Sequence, residues 1–145
     1  MLQRTTYPHM YPGAESAVAA RLLTVLAASS RGVTVATEDG QQARLHWGEL
    51  IEAANQDDTD LGLVYLGIWK QGRKFLQSLP LDQQDIRVIV TDQSTSAMWY
   101  VWVLDASGTY RRDLMRADEG CGQPRKWLAE KEADDIRARL ATRGR

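Results

Sequence analysis

Cysteine is almost missing from this chain: Cys121 is the only one, so no internal disulfide can form, and a reducing compartment suits it. Histidine is scarce too. With His9 and His46 alone, a zinc site lacks ligands unless carboxylates join, so neither a metal nor another cofactor is expected. Charge of one sign is absent in bulk: the net charge of −1 removes any general pull toward nucleic acid or an anionic membrane. Long apolar runs are absent as well. The best stretch, Leu61–Trp69, is far short of the ~20 residues a membrane helix needs, and no charged start leads into an apolar leader. The expectation is a cytoplasmic protein without membrane contact. Neither glycine-rich phosphate-binding pattern occurs, since Gly62, Gly67 and Gly72 are spaced by five.

What is present suits a compact core. The chain has 145 residues, 43% hydrophobic and 26% charged, within the ~100–200 residues usual for one domain. Arginine outnumbers lysine 14 to 4 and alanine is abundant, a bias of GC-rich genomes that points to a bacterial or phage source. Residues 1–13, with Pro8, Pro12 and Gly13, read as an irregular arm, and residues 14–145 as a single domain.

Val18, Leu22, Val25 and Leu26 recur at helical spacing, which predicts a helix over 14–30 stopped by Arg31-Gly32. Residues 33–37 and 42–47 flank an Asp39-Gly40 turn and predict a hairpin, with His46 packed beside Trp47 at its end. A short helix is expected over 48–55. Residues 61–79 carry a helical stripe despite three glycines, each costing about 1 kcal/mol against alanine; a strand through Trp69 is the alternative. Residues 86–90 and 97–104 read as strands, the second being Ala-Met-Trp-Tyr-Val-Trp-Val-Leu. A turn at 105–108 then predicts a third strand over 109–114. Its register places Arg112 or Arg111 across from Trp102. The last helix, 129–142, has Ala129, Ala133, Ile136 and Leu140 on its inner stripe. The fold expected is α+β: a mainly antiparallel sheet of about five strands with helices packed on one side.

No catalytic constellation stands out, and an enzyme is not expected. The aromatic strand carries the functional reading. Val101 and Val103 alternate with Tyr100 and Trp102, so a two-layer domain buries one set and leaves the other wet. Aromatic side chains flanked by arginine have the composition of a protein-binding hot spot, here Tyr100, Trp102, Tyr110 and Arg112. A second contact is the acidic stretch Glu49, Glu52, Asp57, Asp58 and Asp60, unbroken by a basic residue and suited to steering a basic partner. These features point to a small inhibitor, immunity-type factor or adaptor that binds another protein. Three alternatives stay open. Single-stranded nucleic acid could stack on the aromatic face, with basic groups at Lys70, Arg73, Lys74, Arg111, Arg112, Arg116, Arg125 and Lys126. Two copies could meet through that face as a homodimer. A thiol enzyme could use Cys121.

Overall fold

A computed structural model describes residues 23–55, 60–93 and 95–143. The expected arm at 1–13 lies outside them. Among the described residues there are three α-helices and five strands, an α+β protein. The strands do not form one sheet. They divide into a three-stranded antiparallel sheet, β1 (Thr24–Ser29), β2 (Gly32–Ala36) and β3 (Gln42–His46), and a two-stranded one, β4 (Arg87–Asp92) and β5 (Trp99–Leu104). The helices are α1 (Trp47–Ala54), α2 (Asp60–Gln77) and α3 (Lys126–Arg143). The chain falls into two compact units, Met1–Leu79 and Pro80–Arg145.

In the first unit the Asp39-Gly40 hairpin forms as expected, with Val33 facing Leu45 and Val35 facing Ala43, all buried. The helix expected over 14–30 is not what residues 24–29 adopt. They pair with β2 from Thr24↔Ala36 to Ser29↔Gly32, with a register shift between Val25 and Ala27. Only Val25 of this strand is buried, and Leu26 is 41% exposed, so the helical stripe has no core to face here. Strand pairing outweighs the helix propensity of alanine, since propensity is a small term that tertiary pairing overrides. His46 is exposed rather than packed: its Nδ1 lies 3.2 Å from the Arg31 carbonyl, while Trp47 donates to the Ser29 carbonyl and is buried.

Residues 60–77 are one helix, and its glycines differ in what surrounds them. A Cβ at Gly72 would stand 2.4 Å from Val33 Cγ2, so the missing side chain lets α2 lie directly on the sheet. Gly67 has open space around it.

In the second unit α3 covers one face of β4–β5. Val101 and Val103 pack with Leu114, Ala129, Ala133, Ile136 and Leu140, and Val88, Val90 and Trp99 join them. The inner stripe of α3 is the one its spacing predicts. The third strand over 109–114 does not form. After a single bridge, Leu104↔Tyr110, the chain bends into a short 3-10 turn at Arg112–Leu114 that sends Leu114 into the core.

Candidate functional site

The second face of the β4–β5 hairpin carries the alternate residues of both strands. Register places Arg87 beside Leu104, Ile89 beside Trp102 and Thr91 beside Tyr100. The residue across from Trp102 is therefore Ile89, not an arginine, because the strand expected to bring Arg111 or Arg112 there is replaced by the 3-10 turn. Tyr100, Trp102 and Leu104 are half-buried, while Ile89 and Tyr110 are 38% and 37% exposed.

The aromatic rings form a row. Trp102 meets Tyr110 edge-on at 5.1 Å between centroids, and Tyr100 lies tilted at 6.4 Å on its other side. Such edge and tilted contacts suit the ring quadrupoles. Trp102 Nε1 donates to Thr91 Oγ1 at 2.7 Å, which satisfies the indole and fixes its orientation. Tyr110 donates to Met115 Sδ, and Arg112 approaches the same sulfur from Nη1 at 3.7 Å. Tyr100, Trp102, Tyr110 and Arg112 are thus brought into one neighbourhood, although Arg112 has a structural task. It donates to the Glu119 and Ala117 carbonyls at 2.6 and 3.2 Å and clamps the following loop.

That loop lies along the free edge of β5. Trp99 and Gln123 exchange backbone bonds of 2.8 and 2.7 Å. Gly120 and Gly122 both have positive φ, +77° and +94°, and both sit under the row. A Cβ at Gly122 would come within 3.0 Å of the Tyr100 ring; one at Gly120 would crowd Met115, Arg112 and Tyr110. The Gly-Cys-Gly segment is a seat for the aromatics. Spacing does not reveal Ile89, Thr91, Met115 or the two glycines as part of this site. For Ile89 and Thr91 the signal was the alternation of strand 86–91; the others depend on where the chain bends after Tyr110.

Buried polar groups brace the same region. Arg111, 7% exposed, grips Asp113 with Nε and Nη2 at 3.0 Å each and also donates to Gln84 and Asp105. The hydrogen bond to Asp113, opposed by burial, raises the guanidinium pKa and lowers that of the carboxyl. Arg139 holds Glu119 end-on through Nη1 and Nη2, both contacts 2.7 Å, and its hydrogen bond is the main reason the Glu119 carboxyl sits below the ordinary range. Arg137 donates to the Val88 carbonyl, and Arg73 lies over the Trp69 ring. Several of the basic residues are therefore internal fasteners rather than an array for phosphates.

The acidic stretch belongs to the first unit. Glu49 is partly buried on α1 and Glu52 exposed; Asp57 and Asp58 lie outside the described residues, as does the side chain of Asp60, whose backbone opens α2. Cys121 is exposed, with the Ala117 and Glu119 carbonyls 3.7 Å from Sγ. His46 is in the first unit, Cys121 in the second, and His9 outside the described residues. Among the described residues no group of three or more His, Cys, Asp or Glu could hold a metal, and no helix is long and apolar enough to cross a membrane. Comparison with family models, curated proteins and solved structures gives no match.

Proposed function

We propose that the chain is a small non-enzymatic binding protein, of the inhibitor, immunity-factor or adaptor type, that docks another protein on the outer face of β4–β5. The observation that carries this reading is the row Tyr100–Trp102–Tyr110 with Ile89 beside it, part-exposed and already held in place by Thr91, Met115 and the loop glycines. Tyrosine and tryptophan dominate binding energy at interfaces because they bury much area for few rotatable bonds. Rings that are fixed before contact lose little further freedom on binding. Arg112 supplies the polar rim, and the acidic stretch of Glu49, Glu52, Asp57, Asp58 and Asp60 acts as a separate steering contact. The protein works in the cytoplasm of a bacterium or in a phage-infected cell.

Affinity capture from a lysate of the source cell, with the wild-type chain and Trp102→Ala in parallel, tests this. A specific protein recovered by the wild type is lost with Trp102→Ala, an effect of about 2 kcal/mol or more. Equal recovery by both overturns the siting. Quenching of tryptophan emission by a single-stranded oligonucleotide at low salt would instead favour base stacking on the same rings.

A further inference from the structure

Among the described residues no strand covers the outer edge of β4, and its geometry specifies what fits it. Trp99 exchanges both backbone bonds with Gln123, so its polar groups point away from β4. Alternation then makes Tyr100, Trp102 and Leu104 the residues that bond Thr91, Ile89 and Arg87. Ile86, Val88, Val90 and Asp92 therefore turn their N–H and C=O groups outward, where no strand among the described residues pairs with them. Arg137 marks this direction by donating to the Val88 carbonyl at 2.6 Å. Beside the edge runs an open groove of about 690 Å³, lined by Leu81, Ile86, Val88 and Leu140 together with the charged Asp82, Asp85, Arg87 and Arg137.

We infer that this edge takes a second copy of the same chain, β4 against β4 in antiparallel register, joining two hairpins into a four-stranded sheet. The strand is self-complementary about Ile89. Centring the two-fold axis there makes Val88 and Val90 of the second copy a mutual hydrogen-bonded pair, twice over, as an isologous contact requires. The two Ile89 side chains, each 38% exposed in the single chain, meet in the close non-bonded position on the outer face. On the α3 face the same register sets Asp92 of the second copy opposite Ile86, at the mouth of the groove. Arg137, whose Nη1 stays on Asp134 at 2.7 Å, turns its Nη2 toward that aspartate once the incoming Val90 N–H displaces the group from the Val88 carbonyl. A net charge of −1 leaves no long-range repulsion between copies.

Sedimentation velocity on the full chain over a concentration series reads the dimer. Asp92→Arg and Arg137→Asp each weaken it about tenfold or more, since like charges then face each other across the axis. The double swap restores the opposite-sign pair on both sides and returns the affinity toward wild type. Amide exchange at Val88 and Val90 slows as concentration rises. A wild type that stays monomeric throughout, a dimer indifferent to both single swaps, or a double swap no better than either single one overturns the proposal. Residues 92 and 137 are exposed, so circular dichroism is expected to show the fold intact in all variants. A monomeric result leaves the aromatic docking face standing.

Discussion

Single side chains carry much of the order in the second unit. Glu119 is 9% exposed, held by the Arg139 fork and by the Arg116 N–H at 2.7 Å. Because the Arg139 hydrogen bond lowers its folded pKa, Glu119 contributes stability above its ordinary value of 4.5 and loses that contribution as pH falls through the lowered one. Glu119→Gln is therefore expected to cost about 2 kcal/mol at neutral pH. Urea denaturation should show the gap closing only under acid conditions below that ordinary value. Gly122→Ala is expected to destabilise by about 1–2 kcal/mol, since a Cβ there meets positive φ and the Tyr100 ring together. A neutral result in the same assay would contradict the seat assigned to that glycine.

Elements show where local pattern suffices and where it does not. The Asp39-Gly40 hairpin and the α3 stripe were legible because their signals are short-range: a turn dipeptide between alternating residues, and apolar positions at helical spacing. Residues 24–29 misled, since alanine-rich helical spacing there is outcompeted by pairing with β2. The failed third strand has a different cause. Arg111 fastens Asp105, Asp113 and Gln84, the last 27 residues away in sequence, and no periodicity encodes that clamp. The aromatic row itself was readable in β5, whereas its neighbours from β4 and the loop needed the register. Glycines in α2 give a paired prediction. Gly67→Ala, in open space, is expected to stabilise by about 0.5–1 kcal/mol. Gly72→Ala, 2.4 Å from Val33 Cγ2, is expected to destabilise by about 1–2 kcal/mol, because overlap outweighs the propensity gain. Thermal melts of the two variants should move in opposite directions.

At the scale of the molecule, the five described strands divide three and two, the first sheet with α1 and α2, the second with α3, and each with its own buried valines. Hydrophobic alternation finds four of these strands, misses β1 and adds one over 109–114, and it does not say which strands pair, which is why a single sheet was the natural expectation. Tryptophans report on both units. Trp47, 5% exposed, should keep blue-shifted emission and resist acrylamide, while Trp127, 61% exposed, should be quenched freely. Trp102 should fall between them. Variants retaining one indole each would separate these signals, and a fully quenched Trp47 would contradict the core of the first unit. The chain's sole thiol also has a practical meaning. Cys121 is exposed and flanked by the two glycines that underlie Tyr100 and Tyr110, so a maleimide dye attached there becomes a probe at the rim of the proposed docking face. Its colour or anisotropy would register arrival of a bound molecule without altering any ring that makes the contact.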